Sequence, residues 1–228
     1  MNAVVIMAKA PVPNEVKTRL IPALSPEEAS NLYHCFLLDK ITQVKSIREA
    51  RHFVAYTPVT SEAFFRSIML PGFTMINQVG ADLGVRLANV SKNLFDQGAE
   101  KVVILDSDTP NLPMEYIRGG FLRLDESDVA LGPCEDGGYY LMGMRSYVPE
   151  LFRGIPWSTP EVAKLTMNKA KALGLTVSLL PEWYDVDTMI DLERLERDVD
   201  SPGNNCYFCE NTYRSLCLLD ILSKKDSF

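Results

Sequence analysis

Apolar residues fall into two patterns along this chain. Short runs rich in Val, Ile and Ala, bounded by turn formers, read as buried strands. Longer stretches with apolar residues at three- and four-residue spacing read as helices packed on one face. The first run, Ala3 to Ala8, predicts a strand, and a loop rich in Pro and Lys follows from Lys9 to Pro26. A helix opens at Ser25, with Pro26 in its first turn and Glu27 and Glu28 placed to complement the helix dipole. Its apolar face is Ala29, Leu32, Tyr33, Phe36, Leu37, Ile41, Val44 and Ile47. Strands near Phe53–Tyr56 and Phe73–Ile76 flank a short helix around Glu62–Met69. Asp82–Gln97 forms an amphipathic helix through Leu83, Leu87, Val90 and Leu94, stopped by Gly98. Then come a strand at Val102–Leu105, a helix around Met114–Leu124, and strands at Val129–Gly132 and Tyr139–Met144. A helix from about Pro160 to Leu173 ends at Gly174, a strand covers Leu175–Leu180, and a last helix starts after Asp187 or Thr188.

Strands alternating with helices predict an α/β fold: one domain of three α/β/α layers around a mainly parallel mixed sheet. Tyr139–Met144 follows its predecessor after a short turn, so one local antiparallel pair is expected. Turn formers at Ser201–Asn205 mark the end of a 1–200 domain, and a short Cys-containing tail, 201–228, follows.

Composition narrows the function. The 228 residues suffice for one full core, and 46% hydrophobic with 23% charged residues is ordinary for a globular chain. A formal net charge of −7 argues against a protein that grips nucleic acid through its backbone. It leaves a nucleotide substrate open, because a local cation can offset local charge. The opening MNAVVIMAKAPVP lacks the basic start and cleavage pattern of an export signal, and no apolar run is long enough to span a bilayer. Five cysteines in such a chain read as reduced thiols of a cytoplasmic protein.

The chemistry concentrates at VVILDSDTPNLP. Four β-favouring residues run into Asp106 and Asp108, and Pro110 and Pro113 end the strand. Ligands of open α/β sheets bind at the carboxyl ends of strands, and two carboxylates there suit Mg²⁺ or Mn²⁺ carrying a phosphate. A phosphatase D-x-D-x-T reading fails, because Pro110 follows Thr109 and the segment lies mid-chain. Directly after the first strand, Lys9, Lys17 and Arg19 suit a polyphosphate, although neither a P-loop nor a G-x-G-x-x-G fingerprint is present. Gln78 and Gly80 could read a base edge, and Asp82 is placed as a helix N-cap. Glu135-Asp136-Gly137-Gly138 is either a hairpin turn or an acidic functional loop. Asp185 and Asp187 precede the last helix: either Asp187 or Thr188 simply caps it, or the loop reaches the metal, which requires that it meet Asp108 in space. Cys206 and Cys209, with Cys217, fall short of the ligands of a structural zinc site, and His34 and His52 lie far upstream. With those two histidines there is no Ser-His-Asp set.

The segments AKAPVPNEVKTRL, LYHCFLLD, ADLGVRL, LDSDTPNLP, LGPCEDGGYYLMG, GIPWST and YDVDTMIDL together resemble the selenodomain-associated transferases, a glycosyltransferase-like family, over residues 1 to about 197. The family is similar to the GT-A nucleotide-diphospho-sugar transferase fold, with 2-phospholactate and molybdenum cofactor guanylyltransferases among its relatives. The resemblance implies Mg²⁺ or Mn²⁺ on Asp108 and Asp187, with Asp106 completing a D-x-D. It implies nucleotide contacts from Ala8, Lys9, Lys17, Arg19, Gln78, Gly80, Asp106 and Gly138. Lys17, Arg19, Glu135 and Asp136 are the implied catalytic groups. Two departures stand out: Asn14 replaces the Gly of the usual P-V-P-G loop, and Ala23 follows Pro22 where pyrophosphorylases carry Pro-Lys. Asn tolerates a left-handed backbone, so the turn is expected to survive. The expected activity is metal-dependent transfer from a nucleotide-activated substrate to a small-molecule acceptor, glycosyl from a sugar nucleotide or nucleotidyl from an NTP. The alternatives are a nucleotide-binding module without catalysis, and an interaction role for the Cys206–Leu222 tail, for example in a homo-oligomer.

Overall fold

The computed structural model describes residues 1–21, 23–200 and 208–219, the side chain of residue 200 excepted. Seven strands form one sheet: β1 (Asn2–Lys9), β2 (Ala50–Thr57), β3 (Phe73–Asn77), β4 (Lys101–Leu105), β5 (Val129–Pro133), β6 (Tyr139–Met144) and β7 (Val177–Leu179). Their order is β3-β2-β1-β4-β6-β5-β7. All neighbours pair in parallel except at β6, which runs antiparallel to both β4 and β5. The anticipated local antiparallel pair is therefore β6 inserted between two parallel blocks. Its insertion puts the start of β6 beside the end of β4, where Asp106 N–H donates to the Tyr140 carbonyl at 3.2 Å.

Helices cover both faces. Helix α1 (Pro26–Lys45), α2 (Glu62–Ile68), α4 (Met114–Arg123) and α6 (Met189–Asp200) lie on one side, α3 (Leu83–Asp96) and α5 (Val162–Ala172) on the other. Helix α1 starts as its sequence dictates: the Ser25 side chain accepts from Glu28 N–H at 3.2 Å, and Glu28 Oε2 accepts from Ser25 N–H at 2.7 Å. Every position of its anticipated apolar face, from Ala29 to Ile47, is buried. Helix α3 has Asp82 as N-cap, accepting from Val85 N–H at 2.8 Å. Leu83, expected on the apolar face of that helix, is instead 41% exposed and lines a cleft. Helix α5 begins at Val162 rather than Pro160, because Ser158 just upstream takes a left-handed φ of 64° and turns the chain.

A further helix, α7 (Glu210–Leu218), lies in the tail. Asp39 of α1 accepts from the backbone N–H groups of Asn211 (3.1 Å) and Thr212 (2.7 Å), satisfying the start of α7, and Leu216 is buried in the same core as α1. Ser201–Asn205 and Cys206 lie outside the described residues. Cys35, Cys134 and Cys217 are free thiols, but Cys209 is disulfide-bonded, which differs from the expectation that all the cysteines are reduced. No helix among the described residues is long and apolar enough to cross a membrane.

Candidate active-site cleft

The carboxyl ends of β1 and β4 and the start of β6 open into a cleft of about 450 Å³. The loop after β1 reaches it through two left-handed residues, Asn14 (φ 64°) and Lys17 (φ 48°). Asn14 thus adopts the backbone that the replaced Gly would have supplied. Lys17 is buried, its side chain only 2% exposed. Its ammonium pairs with Asp108 and lies 2.9 Å from Asp187 Oδ1, with the rings of Tyr33 and Phe36 at 5.8 and 5.5 Å. Arg19 Nη1 adds a longer contact to Asp187 Oδ2 at 3.4 Å. Burial alone would lower the Lys17 pKa, but the charges of Asp108 and Asp187 outweigh it and hold the ammonium well above the ordinary lysine value. Asp187 is likewise held below the usual carboxylate range: burial opposes this, and Lys17 followed by Arg19 overcomes it. The YDVDT loop meets Asp108 in space, and Val186 N–H donates to the Asp108 carbonyl at 3.0 Å.

A second acidic group lies deeper. Asp106, Cys134 and Asp185 bring one ligand atom each within 4.8 Å of one another. Burial, then mutual repulsion, raises Asp185; burial also raises Asp106, partly offset by Lys40. Cys134 Sγ donates to Asp185 Oδ1 at 3.1 Å, and burial keeps this thiol protonated by raising its pKa. Cys134 offers this group a soft sulfur ligand, which suits a hard divalent ion less well than oxygen. The two carboxylates clasping the Lys17 ammonium are oxygen ligands already arranged around a cation.

Beneath the acidic loop lies Lys40, fully buried, donating to the Thr109 carbonyl at 2.5 Å and to its hydroxyl at 3.0 Å. Thr109 Oγ1 in turn donates to Asp106 Oδ1 at 2.6 Å. Burial pulls the Lys40 pKa down to about 8.

The rest of the lining is largely apolar and aromatic, with Met7, Leu87, Ile104, Val162, Tyr139 and Trp157. Tyr139 and Trp157 meet edge to face at 6.4 Å. Trp157 packs so closely on Gly84 that a Cβ there would lie 2.5 Å from its Nε1 and from the Phe152 carbonyl. Gly137, at φ 89°, is pressed against the Pro160 carbonyl and accepts from Ala163 N–H at 2.9 Å. These contacts lock the 134–138 loop to the 157–160 segment.

Of the residues singled out from the sequence, Arg19, Asp106, Asp108, Asp136, Gly138, Asp185 and Asp187 line the cleft, with Lys17 directly behind them. The others are engaged elsewhere. Gln78 Nε2 donates to the Ala8 and Ala55 carbonyls (3.1 and 2.7 Å), bracing the ends of β1 and β2. The Gly80 carbonyl accepts from Arg86 Nε at 3.1 Å. Lys9 Nζ turns to Glu15, 2.9 Å from its carbonyl and 3.2 Å from its carboxylate. Glu135 is held by both oxygens on Arg194 Nη1, at 2.9 and 2.8 Å. Sequence reasoning did not assign Lys40, Tyr33, Cys134 or Trp157 to the site. Lys40 carried the one available signal, a lysine on the otherwise apolar face of α1.

This fold is that of nucleotide-diphospho-sugar transferases. The chain is similar to a crystal structure from Desulfovibrio desulfuricans G20, provisionally described as a nucleotide-diphospho-sugar transferase, with 32% identity, 97% of each chain covered and a TM-score of 0.87. It shares its fold with a 4-diphosphocytidyl-2C-methyl-D-erythritol synthase from Anaerococcus prevotii DSM 20548 (9% identity, 88% and 97% covered, TM-score 0.59). It also shares it with a cytidylyltransferase from Leptospira borgpetersenii serovar Hardjo-bovis strain JB197 (12% identity, 99% and 98% covered, TM-score 0.57). No curated protein matches the chain. Residues 40–159 match the family described as "Uncharacterized protein conserved in bacteria (DUF2064)", and the chain belongs to that family.

Proposed function

We propose that this protein is a divalent-metal-dependent transferase acting on a nucleotide-activated substrate, as its resemblance to the selenodomain-associated transferases implies. The observation that carries the reading is the Lys17 ammonium held between Asp108 and Asp187 in the cleft. Those two carboxylates would hold Mg²⁺ or Mn²⁺, which when bound supplies positive charge to the diphosphate that leaves. Lys17 and Arg19, released from Asp187, would hold phosphate oxygens and keep the leaving group in line. Asp106 and Asp185 would carry a proton behind them. Asp136, which lines the cleft, is better placed than Glu135 to receive a proton from an acceptor, since Glu135 is occupied by Arg194. The relative at 32% identity, provisionally described as a nucleotide-diphospho-sugar transferase, supports the transferase part of the reading.

Thermal shift with UDP, GDP, CDP and ADP, each with and without Mn²⁺, tests it. At least one diphosphate should stabilise the protein only with Mn²⁺, and Asp108→Asn should abolish that increment. Nucleotide binding indifferent to Mn²⁺ in the native protein would refute the metal-centred reading and favour a non-catalytic nucleotide-binding module.

A further inference from the structure

The lining of the cleft bears on its acceptor, and this inference rests on the transferase reading above. Charge is distributed very unevenly. Asp106, Asp108, Asp136, Asp185 and Asp187 all line the cleft, whereas Arg19 is its one cation among the described residues. Lys17 and Lys40 are buried behind the carboxylates and committed to them or to Thr109. Once Arg19, Lys17 and a metal ion serve a diphosphate, no cation in the lining is left for a second anionic substrate. Asp136 adds a negative charge to that half of the cleft; one of its oxygens accepts from Gly138 N–H at 2.8 Å, and the other has no hydrogen-bond partner among the described residues. The same lining presents aromatic surface from Tyr139 and Trp157, fixed in place by the close packing at Gly84 and Gly137. Aromatic rings of this kind favour the apolar face of a ring or a cation.

We infer that the acceptor is an uncharged or cationic polyhydroxylated molecule of the sugar or amino-sugar class, not a phosphorylated one. This fits glycosyl transfer, in which the acceptor offers only a hydroxyl, and excludes nucleotidyl transfer to a phosphate. The acceptor hydroxyl oxygen bonds to the anomeric carbon of the donor. The bond from that carbon to the diphosphate oxygen breaks, and its electron pair leaves on the nucleoside diphosphate. The hydroxyl proton passes to Asp136.

The chain has two tryptophans, so Trp183→Phe leaves Trp157 as the only tryptophan reporter. That protein, with Mg²⁺ and the nucleoside diphosphate giving the largest thermal shift, is titrated with methyl β-D-glucoside, glucosamine and glucose 6-phosphate. Glucosamine and the glucoside should quench Trp157 at concentrations at least tenfold below glucose 6-phosphate. Adding Asp136→Asn should erase the advantage of glucosamine over the glucoside, and Asp136→Lys should bring glucose 6-phosphate level or ahead. Tightest binding of glucose 6-phosphate before any change at Asp136, no quenching by any of the three, or a ranking unmoved by Asp136→Lys would overturn the inference. Failure of metal-dependent nucleotide binding would instead bring down the transferase reading, so the two are told apart by which titration fails.

Discussion

Lys17 is the side chain whose removal says most about the site. Lys17→Met keeps the apolar stem against Tyr33 and Phe36 and deletes only the charge. The native ammonium lies 2.9 Å from Asp187 Oδ1 and also pairs with Asp108. At an effective dielectric near 20, one such pair gains about 6 kcal/mol, against several kcal/mol for burying the ammonium. Asp108 and Asp187 are 40% and 37% exposed, so water recovers part of what they lose. The net loss expected in metal-free protein is roughly 1–3 kcal/mol, which for a chain of this size lowers Tm by about 2–10 °C. Mn²⁺ should then discriminate between the two proteins. In the native chain the ion must displace the ammonium from both carboxylates; in Lys17→Met it need not. A tenfold gain in Mn²⁺ affinity corresponds to about 1.4 kcal/mol, so Mn²⁺ should raise the Tm of the variant by several degrees more than that of the native protein. With nucleoside diphosphate present the order should reverse, because the variant lacks the ammonium that would hold a phosphate oxygen. Differential scanning fluorimetry at fixed protein concentration, over a Mn²⁺ series with EDTA controls, reads both effects. Equal Mn²⁺ increments in the two proteins would show that the ammonium does not occupy the cation position.

Lys40 titrates in the folded state at about 8 instead of 10.5, because burial disfavours its charge. Between those values the unfolded chain binds more protons, so stability should rise with pH, by roughly 3 kcal/mol, and level off below pH 8 and above 10.5; denaturant melts of the native protein minus those of Lys40→Met should show this rise, and a flat difference curve would refute it. Gly137→Ala meets the Pro160 carbonyl at a φ of 89°, whereas Gly98→Ala at a similar φ of 84° meets nothing within 4 Å. Both should lose about 1 kcal/mol or more to backbone strain, and Gly137→Ala a further 1–3 kcal/mol to overlap, measured by urea midpoints; equal losses would mean that the cleft wall is not locked at this contact.

Much of the scaffold was legible in the sequence because it rests on local signals. The capping box at Ser25, the N-cap at Asp82 and the strand ending at Asp106 each follow from a few neighbouring residues. What escaped depends on which loops meet. Leu83 sits at a helical core position but faces the cleft, because the 157–160 segment folds across the start of α3 rather than extending α5. Gln78 has the right chemistry to read a base, yet the parallel ends of β1 and β2 leave carbonyls that its amide satisfies. Glu135 and Asp136 are adjacent and equally acidic; only the approach of α6, carrying Arg194, separates them. Asp185 and Asp187 lie only two apart, yet one enters the group with Asp106 and Cys134 and the other pairs with Lys17, a separation set by the loops they meet.

The least legible feature is what holds the acidic loop in shape. Residues 106–112 carry no regular structure, so their polar groups must find partners elsewhere. They find them on one stripe of α1. Tyr33 hydroxyl bonds Ser107 Oγ at 2.7 Å, Lys40 takes the Thr109 carbonyl, and Gln43 Nε2 donates to the Leu112 carbonyl at 2.5 Å. With Phe36 against the Lys17 ammonium, positions 33, 36, 40 and 43 follow the three- and four-residue spacing of a single helix face. An apolar residue at 40 would pack more cheaply than a buried lysine, but it would leave a carbonyl unpaired and Asp106 without a compensating charge. The geometry of Asp106 and Asp108 is therefore set by a rigid helix on one face of the sheet rather than by their own loop. That arrangement, together with the Lys17 and Lys40 ammonium groups, holds the carboxylates in place without a metal ion, which a flexible acidic loop, repelling itself open, could not do.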